Sequence, residues 1–111
     1  MAVFTCTITY SNNRAVVRWN PDPTSQRINP GDTVTFTSPQ EETILKFNSD
    51  SPFESGKGPQ EYTVPQGGSL PKVIDNRAKG FNFNFNCLPG GFLEPGSGGH
   101  VPVWGGGPGT D

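Results

Sequence analysis

The chain has 111 residues, a net charge of −2 and only 16% charged residues, so it is long enough for one domain and lacks the basic surface that nucleic-acid binding requires. With 31% hydrophobic residues and no long apolar run, it has no segment that could span a membrane. The 15 Gly and 12 Pro residues disfavour long helices and favour short strands joined by turns.

The alternation of apolar and polar residues predicts four short strands in the first half of the chain. They cover residues 3–10, 15–19, 33–37 and 43–47. The side chains on the inward face of the first strand are Phe4, Cys6, Ile8 and Tyr10. Asn20-Pro21 ends the second run, because proline cannot donate a ladder hydrogen bond. Asn29-Pro30-Gly31-Asp32 is a turn signal with Pro at its second and Gly at its third position.

The second half of the chain predicts four further strands after a long excursion that begins at residue 48. They cover residues 61–64, 70–74, 80–87 and 100–104. The inward face of the third of these carries Phe81, Phe83, Phe85 and Cys87. Its other face carries asparagines, which are poor strand formers, so we expect the Phe face to be deeply buried. Pro102 in the last strand predicts an edge position or a bulge.

Frequent turns between seven or eight short strands predict an all-β fold, either a sandwich or a barrel. The sequence shows no internal repeat and no helical period of useful length. Residues 1–104 are the predicted domain, and the Gly-rich residues 105–111 are predicted to be a flexible tail.

Six segments of the chain stand in an order that is typical of one family. They are 29–36 (NPGDTVTF), 43–47 (TILKF), 52–56 (PFESG), 80–87 (GFNFNFNC), 87–90 (CLPG) and 99–103 (GHVPV). From about residue 27 to residue 104, the chain resembles the plastocyanin-like cupredoxins. In that family, the segment matched by 43–47 begins with a copper His, and the segment matched by 80–87 delivers the copper Cys. The resemblance implies a cupredoxin-like, Greek-key β-sandwich.

The resemblance also implies where the ligands of a type 1 copper site would stand. Such a site needs two His, one Cys and a weak axial ligand. The first His position falls on Thr43, the second falls on Gly90, and the axial position falls near Ser97, whereas the Cys is kept as Cys87. One thiolate cannot hold Cu(II) in trigonal geometry, so we expect a degenerate site with no type 1 copper, no electron transfer and no cofactor.

Cys87 and His100 are the weak candidate metal ligands that remain. Cys87 is either a ligand or redox thiol, or a buried thiol that packs like a small apolar side chain, the interpretation that we favour. It either forms a disulfide with Cys6 or stays a free thiol. His100, the sole His, cannot build a zinc site or a triad without further partners. The acidic residues in or near loops are interpreted as solvated charges; they are Glu41, Glu42, Asp50 and Glu54.

Three loops are predicted to cluster at one end of the sandwich and to form a recognition surface. They cover residues 38–43, 48–60 and 88–99. Phe53, Phe92 and Leu93 lie in these loops. They either contact a partner or fold inward and fill the space that copper would occupy.

The sequence therefore predicts a non-catalytic, cupredoxin-like binding module whose partner is an unknown protein or small ligand. It is not predicted to be an enzyme, since no pair of nucleophile and base is visible. The alternatives are a metal-binding or redox protein with an atypical Cys87 site, and a structural subunit. We expect a soluble monomer or small homo-oligomer. Residues 1–5 lack a signal-peptide pattern, so the chain is cytoplasmic unless a signal was removed, in which case it is periplasmic or secreted.

Overall fold

A computed structural model describes residues 2–12, 14–53, 57–89 and 98–105 of the chain. Within them, eight strands form two four-stranded sheets that pack as a β-sandwich, which confirms the predicted all-β sandwich. The strands are β1 (Val3–Ser11), β2 (Arg14–Asn20), β3 (Thr33–Thr37), β4 (Thr43–Phe47), β5 (Gln60–Val64), β6 (Ser69–Val73), β7 (Asn82–Pro89) and β8 (Gly98–Pro102). Apart from Gly105, the predicted tail lies outside the described residues.

The first sheet has the strand order β2-β1-β3-β6. β1 pairs with β2 in antiparallel and with β3 in parallel fashion, and β6 runs antiparallel to β3. Because successive side chains of a strand point to opposite faces, Phe4, Cys6 and Ile8 of β1 are buried, together with Val34 and Phe36 of β3. The threonines of β1 and β3 face outward and meet across the strands, and the Thr37 hydroxyl donates to the Thr7 hydroxyl at 3.1 Å.

The turn before β3 is hydrogen-bonded to the start of β1. Gly31 has a φ of 90°, the left-handed conformation that glycine adopts without strain, and the Asp32 N–H donates to the Asn29 carbonyl at 3.0 Å. The Asp32 carboxylate accepts hydrogen bonds from the N–H groups of Ala2 and Asn29 at 2.9 and 2.8 Å. The predicted turn is thus confirmed, and its buried carboxylate ties two strands together.

The second sheet has the strand order β5-β4-β7-β8, with all neighbours antiparallel. The β4 strand buries Thr43, Leu45 and Phe47 on its inner face, as its alternation predicts. Pro102 lies in β8, an edge strand of this sheet. The edge position that the proline predicts is therefore confirmed.

Phe81 does not share the buried face of β7, contrary to the prediction from its alternation with Phe83 and Phe85. Its side chain is 62% exposed, and β7 begins one residue later. The reason is the preceding turn: Gly80 has a φ of 84°, and the Phe81 N–H donates to the Ala78 carbonyl at 3.1 Å. Phe81 thus belongs to this turn, and the strand alternation starts only after it.

Aromatic rings fill the middle of the sandwich. Phe36, Phe47, Phe53, Tyr62 and Phe85 pack with centroid separations of 5.4 to 5.9 Å, mostly edge to face, which is a favourable arrangement for aromatic pairs. They come from both sheets and, in the case of Phe53, from the long connection between β4 and β5. The cluster therefore joins the two sheets and holds this connection against them.

Candidate functional site

Thr43 and Cys87 lie on the same inner face of the second sheet. Thr43 starts β4 and pairs with Pro89 of β7, whereas Cys87 pairs with Leu45, two residues further along β4. The two residues are therefore diagonal neighbours on antiparallel strands, and both are buried. The structure thus brings together the positions that the resemblance assigns to the first copper His and the copper Cys.

The Thr43 side chain is enclosed by two other hydroxyl groups. Its Oγ1 lies 2.7 Å from the Tyr10 hydroxyl and 2.8 Å from the Ser38 Oγ. The Ser38 hydroxyl in turn donates to the Glu41 carbonyl at 2.5 Å. Thr43 and Ser38 are completely buried, so these contacts replace hydrogen bonds that the groups would make to water.

The direction of donation along these hydroxyls follows from their chemistry. Each hydroxyl has one proton to donate, and Ser38 gives its proton to the Glu41 carbonyl, which can only accept. Ser38 must therefore accept from Thr43, and Thr43 must accept from Tyr10. We name the resulting sequence, from Tyr10 through Thr43 and Ser38 to the Glu41 carbonyl, the hydroxyl chain.

Both cysteines are free thiols in the structure, so Cys6 and Cys87 do not form a disulfide. Burial raises the pKa of Cys87 to about 12. Burial and, to a smaller degree, the nearby Cys87 raise the pKa of Cys6 still further. Burial also raises the pKa of Tyr10 above its ordinary value. At neutral pH the three groups are thus protonated, and neither sulfur is a thiolate.

The other sequence-predicted site residues are not brought to Thr43 and Cys87. His100 is exposed and pairs with Asn84 across β7 and β8, so it lies on the outer face of the sheet, opposite to the inward-facing Cys87. Phe53 folds inward and is buried in the aromatic cluster, but its segment leaves β4 at the end opposite Thr43, so Phe53 does not fill the space beside Thr43 and Cys87. Four predicted residues lie outside the described part of the chain; they are Gly90, Phe92, Leu93 and Ser97.

The acidic residues near the loops have local roles where the structure describes them. The Asp50 carboxylate accepts from the Gly58 N–H at 2.6 Å, and Glu41 takes part in the hydroxyl chain only through its backbone carbonyl. Glu54 lies outside the described residues. Within the described part of the chain, no three His, Cys, Asp or Glu side chains gather as a metal site would require.

Two of the three predicted recognition loops, residues 38–43 and 48–60, do not lie at the same end of the sandwich, and most of the third, residues 88–99, lies outside the described residues. Residues 38–43 lead into β4 at Thr43, whereas residues from 48 onward leave β4 at its opposite end. Phe53, in that second segment, forms an isolated β-bridge with Ile74. The Ile74 carbonyl accepts a hydrogen bond from the Gly31 N–H, which places Ile74 beside the turn that precedes β3. The loops before and after β4 therefore lie at opposite ends of the molecule, because a single strand separates them.

Sequence reasoning did not identify Tyr10 and Ser38 as site residues. The alternation of β1 did place Tyr10 on the inward face, but the partner of its hydroxyl comes from β4 in the other sheet. Ser38 reaches Thr43 through the connection between β3 and β4, where the backbone has no period to read. Ser38 stands five residues before Thr43, and this spacing alone does not indicate a hydrogen bond between them.

Comparisons of the chain with protein-family models, with curated protein sequences and with solved structures give no match. A search of the described residues likewise finds no helix with the length and apolar character of a membrane-crossing segment. Function is therefore inferred from the side chains of this chain alone.

Proposed function

We propose that the chain is a non-catalytic, cupredoxin-like binding module that has no type 1 copper. The hydroxyl chain is the observation that carries this proposal. Two hydrogen bonds hold Thr43, the residue that the resemblance assigns to the first copper His, and a hydroxyl of this kind is not among the ligands that type 1 copper uses.

The strand arrangement supports the cupredoxin part of the proposal. The two segments that carry the strongest motifs become adjacent antiparallel strands, and their register brings Thr43 and Cys87 to one end of the sheet. A cupredoxin-like, Greek-key arrangement needs this juxtaposition, since the first His and the Cys must reach the same ion.

The described side chains do not fit a copper ion at this position. Cys87 is a buried thiol whose pKa is raised to about 12, whereas a metal ligand must be a thiolate. Thr43 already donates to Ser38 and accepts from Tyr10. A metal ion would therefore have to break two hydrogen bonds and remove a proton from a desolvated sulfur.

Addition of Cu(II) to the purified protein tests the proposal. We expect no intense visible band from charge transfer between thiolate and copper, and no change in the thermal unfolding midpoint. An intense blue colour that disappears in Cys87→Ala would overturn the proposal and favour the alternative of a metal or redox protein that uses Cys87.

A designed variant tests the correspondence with the cupredoxins separately. In Thr43→His combined with Gly90→His, two imidazoles and Cys87 would provide the ligands that type 1 copper requires. We expect blue copper binding in the double variant and none in either single variant. A folded double variant that stays colourless with copper would contradict the assignment of Thr43 and Gly90 to the His positions.

The metal or redox alternative gains no support from the described residues. His100 lies on the face of the second sheet opposite to Cys87, so the two side chains cannot share an ion.

The assembly state belongs to the proposal as well: we expect a monomer or a small homo-oligomer. Size-exclusion chromatography with light scattering measures it, and a large assembly at low concentration would instead favour a structural subunit.

A further inference from the structure

A cleft lies beside β7 at the end of the sheet away from Thr43. β4 pairs with β7 only as far as Lys46 and Asn86, whereas β8 pairs with β7 down to Asn82. Beyond Lys46, the side of β7 that faces β4 is therefore uncovered. The cleft that results has a volume of about 610 Å³, which falls within the range of small-molecule sites.

Amide side chains and phenylalanine rings both line this cleft; the residues are Asn48, Asn82, Asn84, Asn86, Phe81, Phe83 and Phe85. The alternation of β7 directs Asn82, Asn84 and Asn86 to the face opposite the buried Phe83 and Phe85. Asn48 and Ser49, which follow β4, line the other wall. Each amide offers two donors and an acceptor, so the cleft presents uncharged groups that both donate and accept hydrogen bonds.

An aromatic ring stands at the margin of the same cleft. Phe81 lines it and is largely exposed, and its ring packs edge to face on Phe83 with the centroids 6.4 Å apart. This contact supports the ring from one side and leaves most of its surface open. An exposed ring next to amides suits a ligand that has both C–H faces and hydroxyl groups.

The charged residues of the cleft are largely engaged by the protein. Asp50 accepts the Gly58 N–H. Arg77 pairs with Asp75 at 3.1 Å and donates to the carbonyls of Ser51 and Phe53 at 2.8 and 2.6 Å. Lys57 is the remaining charged side chain among the described residues that line the cleft. Asp50 and Lys57 carry opposite charges, and Asp75 balances Arg77, so the lining has no net charge and favours a neutral ligand over an anionic or a strongly cationic one.

We propose that this cleft binds a short neutral oligosaccharide, with the Phe81 ring against a sugar face and the asparagine amides bonded to sugar hydroxyls. The inference rests on the proposal that the chain is a binding module, and it names the class of ligand. Cys87 is buried and is not part of the cleft lining, so sugar binding in the cleft and copper binding at Cys87 are measured separately.

Titration of the ¹⁵N-labelled protein with cellotetraose, chitotetraose, maltotetraose and xylotetraose tests the inference by NMR. At about 10 mM sugar, roughly ten times a Kd of 1 mM, we expect at least one tetrasaccharide to shift the side-chain amide signals of Asn82 and Asn84. The backbone signal of Thr43, which does not line the cleft, should stay unchanged.

Two variants provide the contrast. Phe81→Ala should weaken binding at least tenfold, whereas Val73→Ala, which truncates an exposed apolar side chain on the other sheet, should leave the affinity unchanged. Absence of any shift with all four sugars, or equal effects of the two variants, would overturn the inference. Copper binding at Cys87 would instead overturn the proposed function, and it is measured separately.

Discussion

The Thr43 hydroxyl has two partners in the interior of the protein, and its removal would affect them unequally. Ser38 still donates to the Glu41 carbonyl when Thr43 is lost, but the Tyr10 hydroxyl loses its acceptor. A polar group that loses its partner retains its cost of desolvation. Thr43 is therefore the position at which a small substitution tests the hydroxyl chain most directly.

We expect Thr43→Val to lower the free energy of unfolding by about 1–3 kcal/mol. Thr35→Val is the control, because Thr35 lies on the outward face of β3, and its change should stay within about 0.5 kcal/mol. Urea unfolding curves of both variants measure the difference. Equal values for the two variants would show that the hydroxyl chain contributes nothing specific to stability.

The buried thiols make stability depend on alkaline pH. The pKa of Cys87 rises from 9.0 to about 12 on folding, and the pKa values of Cys6 and Tyr10 shift in the same direction. The folded chain thus holds these protons more tightly than the unfolded chain. Their contribution is complete below the unfolded-state pKa and is lost as the pH rises through the folded-state pKa.

We therefore expect the urea concentration at the unfolding midpoint to decrease as the pH rises from about 9 to about 11. The decrease should be less steep in Cys87→Ala, which lacks one of the groups with a raised pKa. Midpoints measured in steps from about pH 8 provide the test. A midpoint that stays constant or rises over this interval would contradict the assignment of buried, protonated thiols.

At the scale of the elements, the pairing of β8 with β7 depends on a glycine. A Cβ atom built on Gly98 would lie 1.8 Å from the Phe85 carbonyl oxygen and 2.8 Å from the Asn86 Cα. Both are backbone atoms, so a side chain at this position would have to move one strand away from the other. At Gly99, a Cβ would instead meet side-chain atoms of Phe85 and Val17 at 3.1 and 3.3 Å.

We expect Gly98→Ala to destabilise the protein by about 1–3 kcal/mol or more, the usual cost of overpacking, and Gly99→Ala to cost less because side chains can adjust. Thermal unfolding of the two variants gives the order. A Gly99→Ala variant that is less stable than Gly98→Ala would contradict the close contact between Gly98 and the backbone of β7.

The elements were largely predictable from the sequence, because one face of each sheet is buried and the strands alternate accordingly. The alternation located all eight strands to within a few residues, as in β4, where Thr43, Leu45 and Phe47 face inward. It failed at Phe81, since the backbone turn at Gly80 interrupts the period there. The amino-acid sequence does not indicate at which residue such a turn ends and the strand begins.

The site was less predictable than the strands. Thr43 and Cys87 were located because they lie in regular strands, but the partners of Thr43 come from β1 and from an irregular connection. The position of the loop after β4 was also missed, because composition shows that a loop is long but not at which end of the sheet it packs. The cleft beside β7 arises from unequal lengths of strand pairing, which no local pattern indicates.

For the whole molecule, the connection between β4 and β5 is part of the core. Phe53 lies within it and contacts Phe36, Phe47 and Tyr62 at centroid separations of 5.5 to 5.9 Å. The carbonyl of the same residue accepts a hydrogen bond from Arg77. A segment that reads as an irregular loop thus helps to join the two sheets.

Phe53→Ala should therefore lower the free energy of unfolding by about 3–5 kcal/mol, the cost of a large cavity. Phe81→Ala is the matched control, since the same substitution at an exposed ring should change it by about 0.5 kcal/mol or less. Urea unfolding of both variants decides the matter. A small effect at Phe53 would mean that the connection packs only loosely on the sandwich.

The prolines of the outer strands limit how copies of this molecule can add to one another. Each described sheet has one outer strand with a proline, Pro71 in β6 or Pro102 in β8, and one without, β2 or β5. A proline offers no N–H to an incoming strand. Endless extension of a single sheet needs both of its margins, so we expect each sheet to join at most one sheet of a neighbouring copy through its proline-free margin.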